Sequence, residues 1–263
     1  MSLFLPPEIL DLIVDHLHDE QAALKACCIV SKSWILRARK QLFARVEFRT
    51  SGSHMEHWKK AFPDPSNSPA HHTRSLSVYG NPVLTTTEAG ADNWIRAFRN
   101  VVHLRLENLD PASLVPFHGL SPAVRGLRLS YTTPDVFGLV CSFPFLKHLA
   151  LVALHPESDA DRYNTPSTSP KLTGSLDLGM FGSARPVIRR LLDLPDGLHF
   201  SKITMLFVND DVESATDLVS SCSDTLESLV ILCLPLSAFP SVPVTCQYLT
   251  VTRGRRRVWE TST

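Results

Sequence analysis

A short apolar–polar–apolar triplet recurs along most of this chain of 263 residues and restricts its possible folds more than any other feature. Side chains alternate between the two faces of a β-strand, so each triplet puts two apolar residues on one face and one residue on the other. A single unit cannot bury its own apolar face, whereas a stack of such units can. The triplets begin at Val46, Leu76, Leu104, Leu127, Leu149, Leu176, Ile203 and Leu229, with a ninth candidate at Leu249.

Consecutive triplets begin 20 to 30 residues apart, which leaves room for the crossover that joins parallel strands. Five intervals carry apolar residues at helical spacing, and Asp92, Thr133 and Asp211 are the expected N-caps. Two turn-rich stretches, 63–69 and 154–170, are expected to be surface loops. The sequence therefore predicts an α/β solenoid with a curved parallel sheet and helices on its outer face. The predicted helices lie within 54–62, 92–98, 133–140, 186–192 and 211–219.

The N-terminal 43 residues follow helical spacing instead of strand alternation. Pro6 and Pro7 suit the first turn of a helix, where their missing N–H groups cost nothing. Asp19 is the expected N-cap of a second helix, and a break near Val30–Ser31 separates a third. About forty residues cannot bury all of these apolar groups among themselves, so a binding partner is expected. The apolar positions are Ile9, Leu12, Ile13, Leu17, Leu24, Cys27, Cys28, Val30, Trp34, Ala38 and Leu42.

This stretch resembles an F-box. Residues 5–10 (LPPEIL) and 30–34 (VSKSW), with LF eight residues further on, form the combination that carries the resemblance. It implies an F-box over residues 1–43 that docks a Skp-type adaptor and, through the adaptor, a cullin scaffold. Leu17 and Leu42 are expected to hold the three helices together. The alternative is a packing module whose apolar faces are all internal. The residues that the resemblance places against the adaptor are Leu5, Pro6, Ile9, Leu10, Ile13, Leu24, Val30 and Trp34.

The period of the triplets fits leucine-rich repeats of an irregular kind that lack the consensus asparagine. Over nearly its whole length the chain resembles basidiomycete fungal F-box proteins with such repeats. The resemblance implies a non-catalytic substrate-recognition subunit of an SCF-type E3 ubiquitin ligase, in which residues 44–263 select an unknown target protein. The alternative is a leucine-rich-repeat binding module with no ligase role. The phrases that carry the resemblance are 46–49 (VEFR), 67–78 (NSPAHHTRSLSV), 172–178 (LTGSLDL) and 222–229 (CSDTLESL).

Charge and hydropathy argue against nucleic-acid and membrane partners, so the expected partners are proteins. Lys plus Arg and Asp plus Glu each number 26, and this balance does not support nucleic-acid binding. No apolar run reaches 18 residues, so no membrane span is expected. The six cysteines show no CxxC spacing, and no signal peptide is recognisable, which together favour a reduced protein in the cytoplasm or nucleus. The arginines of 253–257 fit a nuclear signal, but protection of a strand edge at 249–251 is the favoured interpretation.

Motifs for catalysis, cofactors and metals are missing from the sequence, which contains no GxSxG, Walker loop, GxGxxG, HExxH or EF-hand pattern. His54 and His57 share one helical face but lack further ligands at a usual spacing, so a solvated face is favoured over a metal site. His71 and His72 are expected in a surface loop. The chain is therefore expected to be neither an enzyme nor a cofactor-binding protein.

The middle residue of each triplet is expected on the open face of the sheet, away from the helices. Arg105 and Arg128 would lie on adjacent strands, where like charges repel unless something neutralises them. An acidic or phosphorylated segment of a target protein could do so, with His103 and His148 beside it. The alternative is that Glu107 or solvent screens the two arginines and nothing binds there.

Overall fold

The computed structural model describes most of the chain in eleven stretches. These are residues 6–49, 54–80, 91–120, 122–131, 136–154, 171–179, 184–208, 212–234, 246–252, 255–256 and 260–262.

The chain begins with three helices: α1 (Pro7–His16), α2 (Gln21–Val30) and α3 (Lys32–Leu42). Proline in the first turn starts α1, as predicted. Ser31 has extended backbone (φ −150°, ψ 139°) and separates α2 from α3, and its hydroxyl accepts a hydrogen bond from the N–H of Ser33. The break predicted near Val30–Ser31 is therefore confirmed.

The prediction that Asp19 caps α2 is wrong. The N-cap is Glu20, and its side chain makes no capping hydrogen bond. Asp19 instead accepts a hydrogen bond from Arg45 at 2.9 Å, which joins the chain before α2 to the first strand. A carboxylate near a helix start can thus serve a tertiary ion pair instead of the orphan backbone donors.

Every predicted triplet lies in a strand, and the first eight strands form one parallel sheet in sequence order. Neighbouring triplets pair residue for residue, so that Leu104, Leu127 and Leu149 stand in one row. The strands are β1 (Arg45–Arg49), β2 (Ser75–Tyr79), β3 (His103–Glu107), β4 (Gly126–Ser130), β5 (His148–Val152), β6 (Leu172–Gly179), β7 (Leu198–Val208) and β8 (Ser228–Leu234).

Described helices lie between most pairs of successive parallel strands, and each of the five predicted segments contains one. The prediction that Asp92 caps its helix is wrong, because that helix begins at Ala91; Thr133 and Asp211 lie outside the described residues. The sequence did not indicate α6 or the 3-10 turn Val115–Gly119, which are too short to show helical spacing. The helices are α4 (His54–Ala61), α5 (Ala91–Arg96), α6 (Pro111–Leu114), α7 (Val136–Cys141), α8 (Arg185–Leu192) and α9 (Val212–Ser221).

One hydrophobic core extends along the sheet from Val46 to Leu229. Triplet leucines of the strands pack there with apolar residues of the helices, including Ile95, Phe117 and Ile188. Leu127 is 2% exposed, and its row neighbours are equally buried. The predicted α/β architecture with a parallel eight-stranded sheet is confirmed, and it fits an α/β solenoid.

The ninth triplet is a strand, but its direction differs from the others. β9 (Cys246–Thr252) pairs antiparallel with β8, and β10 (Arg255–Arg256) and β11 (Glu260–Ser262) pair antiparallel with β9. The interpretation that arginines protect the edge of the last strand is wrong, because two of them form a strand against it. The parallel repeat therefore ends at β8.

The same turn follows four consecutive strands, β2 to β5. The residue directly after each strand has a positive φ of 48° to 74°, and its N–H donates to the carbonyl of the last residue of the next strand. Only one of the four is glycine, although this region costs other residues energy. The stacking of the strands therefore determines this conformation. The residues are Gly80, Asn108, Tyr131 and Ala153.

The first predicted loop is more ordered and more buried than expected. Residues Pro65–Asn67 and Pro69–His72 form 3-10 turns, and Ser68, Pro69 and Ala70 are buried. His71 is exposed, whereas His72 is half-buried, and burial lowers its pKa. Of the second predicted loop only Leu154 is described.

The end of α3 contacts residues that follow the first strand. The Thr73 hydroxyl donates to the Phe43 carbonyl at 3.0 Å, and Thr73 is completely buried. The Phe43 ring lies edge-on to the rings of Trp58 and Phe62, with centroids 5.8 and 5.9 Å away. Backbone and aromatic contacts thus join the end of α3 to the beginning of the repeats.

Candidate functional site

Among the described residues of the N-terminal helices, six large apolar side chains are exposed to solvent. Ile29, Leu36 and Val30 are the most exposed, at 86, 73 and 72%. Exposed apolar residues are ordinary one at a time, but six within one small helical unit indicate a contact surface. We call this set the helical apolar surface: Ile9, Leu12, Ile13, Ile29, Val30 and Leu36.

The N-terminal helices have a very small core of their own. Val14, Leu24, Cys27 and Ala38 are buried there. Leu24 is 0% exposed, so its assignment to the adaptor-facing set is wrong: it is a core residue. Helical spacing shows which residues share a face but does not show which face meets the core.

The remaining predicted adaptor-facing residues are distributed between surface and core. Pro6, Ile9, Ile13 and Val30 are exposed and Leu10 is half-buried, whereas Leu5 lies outside the described residues. Trp34 is partly buried against the helical core. The expectation that Leu17 and Leu42 hold the helices together is confirmed, because both pack on that core.

Leu12, Ile29 and Leu36 are exposed residues that the sequence reasoning did not assign to a contact surface. Leu12 lies on the same helical face as Ile9 and Ile13, and this spacing could have indicated its exposure. Nothing in the spacing singled out Ile29 or Leu36.

A polar cluster fixes α1 against α3 beside this surface. Arg37 Nε donates to Asp15 Oδ1 at 2.8 Å, a second Arg37 nitrogen donates to Oδ2, and Gln41 donates to Oδ1 at 2.6 Å. The hydrogen bond from Arg37 is the main reason that the pKa of Asp15 is lowered. The same bond raises the pKa of Arg37. The cluster holds the helices in register while their apolar residues face outward.

The open face of the sheet carries the middle residue of each triplet in one continuous row, as predicted. Thr204 stands opposite Asp177, and Ile203 and Met205 beside it are fully buried, so β7 follows the register of the triplet that begins at Ile203. We call this set the middle row: Glu47, Ser77, Arg105, Arg128, Ala150, Asp177, Thr204 and Val230.

Arg105 has an internal partner. Its Nε and one terminal nitrogen donate to Glu107 Oε1 at 2.9 and 2.6 Å, and its guanidinium lies 5.2 Å from the centre of the Tyr79 ring. Glu107 also raises the pKa of Arg105. The alternative that Glu107 screens Arg105 is therefore confirmed for this arginine.

Arg128 stands directly opposite Arg105 and is exposed. Within the described part of the chain it has no ion-pair partner. The two neighbouring arginines are thus unequal: Arg105 is held and neutralised, and Arg128 remains available to a ligand.

A groove of about 310 Å³ runs over the open face between β2 and β6. All four predicted target-binding residues, His103, Arg105, Arg128 and His148, line it. The sequence reasoning did not assign Gly126 and Asp177 to it. Only the position of Gly126 directly before the triplet that contains Arg128 could have suggested its involvement.

Gly126 is buried in the lining of this groove, next to the His103 imidazole. It stands between His103 and His148 on the neighbouring strands. A Cβ at Gly126 would lie 2.6 Å from His103 Nδ1, so glycine gives the imidazole its space. His148 Nδ1 lies 2.8 Å from the Ser175 hydroxyl, which fixes the second ring. The groove therefore presents two imidazoles and one free guanidinium around a glycine.

The described residues contain no group of three or more His, Cys, Asp or Glu side chains that could hold a metal ion. In the same part of the chain no helix combines the length and the hydropathy of a membrane span. Burial raises the pKa of the Cys141 thiol to about 11. That thiol is thus poorly suited to act as a nucleophile.

No model of a known protein family matches this chain, and no curated protein matches it significantly.

Proposed function

We propose that this protein is the substrate-recognition subunit of an SCF-type E3 ubiquitin ligase. The N-terminal helical unit acts as an F-box and docks a Skp-type adaptor, which links it to a cullin scaffold. The sheet acts as an irregular leucine-rich-repeat surface that recruits a target protein. The protein catalyses no reaction itself and works in the cytoplasm or nucleus.

The helical apolar surface is the observation that carries this proposal. Of their residues whose burial is described, the three helices place four in their own core, and they leave Ile29 and Val30 largely in water. A partner that covers apolar side chains of this size removes them from water, and the hydrophobic effect then stabilises the complex. An F-box that meets its adaptor through helix faces needs such a surface.

A second function is favoured by the junction between the helices and the sheet. Asp19 and Phe43 bond to Arg45 and Thr73 at the first edge of the repeats. Helices that cover the end of a repeat array protect its core from water. In this second function the helical unit is a cap, and the protein is a binding module with no ligase role.

Adaptor binding by the purified chain separates the two functions. We expect a stable complex with a Skp-type adaptor in titration calorimetry. Val30→Asp, which places a charge on the helical apolar surface, should weaken that complex by about thirtyfold or more, because an interface anchor is worth about 2 kcal/mol.

Val115→Asp is the matched control, because Val115 is 63% exposed but lies in the repeats. It should leave adaptor affinity unchanged. If the unaltered chain binds no adaptor, or if Val30→Asp binds as tightly as Val115→Asp, the F-box assignment is wrong and the cap remains.

A further inference from the structure

The middle row contains four charged side chains, and two of them are neutralised on their own strands. Glu47 pairs with Arg49, and Arg105 pairs with Glu107. The other two are Arg128 and Asp177. Both are exposed, and neither has an ion pair among the residues that the structure describes. The row thus presents one uncompensated positive charge and one uncompensated negative charge.

These two charges have a defined separation. Arg128 lies on β4 and Asp177 on β6, with Ala150 of β5 between them in register. Neighbouring strands are about 4.8 Å apart, so the two positions stand about 10 Å apart across the sheet. The methyl group of Ala150 leaves the floor between them low, and both ends line the 310 Å³ groove.

We propose that this groove binds an extended segment of a protein that carries one acidic and one basic residue three positions apart. The acidic residue pairs with Arg128, and the basic residue pairs with Asp177. The inference rests on the proposed function only in naming the bound segment as part of a ligase target.

Charge complementarity selects this partner over a purely anionic one. A carboxylate matches the fork of one free guanidinium. A phosphate dianion beside Arg128 would leave the charge of Asp177 uncompensated and would be repelled by it. A segment with both charges satisfies both ends of the groove.

The spacing follows from the geometry of an extended chain. In a polyproline II conformation, residues i and i+3 lie on the same side and about 9.3 Å apart. This distance matches the roughly two strand spacings between Arg128 and Asp177.

The test uses the full chain, immobilised, and a displayed library of random twelve-residue peptides. Peptides retained by the unaltered protein should be enriched in an acidic and a basic residue at a spacing of three. Arg128→Glu should lower retention of these peptides about tenfold or more, because it sets like charges against each other. The double variant Arg128→Glu with Asp177→Lys should select the same spacing with the order of charges reversed.

Arg99→Glu makes the same change of charge at an exposed residue outside the open face and should alter nothing. The proposal is overturned if no peptide is enriched, if only acidic peptides are enriched, or if the double variant selects the same order of charges. Adaptor binding is measured separately on the same proteins. Loss of that binding with peptide selection intact refutes the ligase role alone.

Discussion

The N-terminal helices and the repeat sheet differ in how much of their apolar surface they bury. The sheet extends one core through eight parallel strands and buries nearly every triplet leucine. Among the described residues of the helices, the buried core consists of Val14, Leu24, Cys27 and Ala38. Six of the nine large apolar residues that are exposed in the described structure belong to these helices. The helical unit therefore leaves far more of its apolar surface in contact with water than the sheet does.

The largest effect should come from the core of the sheet. Leu127→Ala removes a side chain that is 2% exposed and leaves a cavity between Leu104 and Leu149, at a cost of about 2–5 kcal/mol of unfolding free energy. Urea denaturation measures it. Leu36→Ala makes the same chemical change on the helical apolar surface, where Leu36 is 73% exposed, and should cost less than about 0.5 kcal/mol. Equal losses of unfolding free energy in the two variants would mean that the helical apolar surface is already covered in the folded protein.

A smaller effect is expected at the junction of the two regions. Thr73→Val removes the hydroxyl that donates to the Phe43 carbonyl in a buried setting, which should cost about 1 kcal/mol or more. Hydrogen exchange should then be faster in α2 and α3 but unchanged in β4 and β5.

Thr225→Val is the control for the junction, because the Thr225 hydroxyl donates to the Phe200 carbonyl at 3.1 Å inside the repeats. It should leave exchange in the helices as it is. If both variants accelerate helical exchange equally, the two regions unfold as one unit and the contrast between them does not extend to stability.

The smallest effect concerns the pH dependence of the helical unit. The folded protein holds the pKa of Asp15 below its ordinary value of 3.8, chiefly through Arg37. A lowered pKa stabilises the fold above the ordinary pKa, and this contribution disappears as the pH falls through the folded value. Asp15→Asn should therefore lose up to about 1 kcal/mol at pH 7 and very little at pH 2. Denaturation curves at several pH values compare the two proteins, and a constant difference would contradict the assignment.

The strands were predictable because an alternation of period two is typical of a half-buried β-strand and of no other regular backbone structure. Each of the nine triplets lies in a strand, whereas the row position of Thr204 was open, because Leu206 and Val208 offer an alternative alternation. The reversed direction of β9 was not predictable, since alternation is identical in parallel and antiparallel strands. Short helices such as α6 were not predicted, because four residues cannot display a helical period.

The candidate sites were predictable to a smaller extent. Arg105, Arg128, His103 and His148 do lie along one groove, because register brings equivalent positions together. Which arginine is free depends on the local pairing of Arg105 with Glu107, which the sequence only offered as an alternative. Leu24 was misplaced because the inward face of a helix depends on its neighbours, and those neighbours are not visible in the spacing of one helix.

A residue with left-handed backbone conformation follows each of the strands β2 to β5. This residue affects where insertions and deletions can occur during evolution. Each of these strands leaves the sheet through the same fixed joint, held by a hydrogen bond to the next strand. We therefore expect residues gained or lost beyond Gly80 or Tyr131 to leave the pairing of the strands intact. Surface connections tolerate such changes far better than the elements that they join. The edge of the sheet where these joints lie is the place where the protein can alter its length without altering its register.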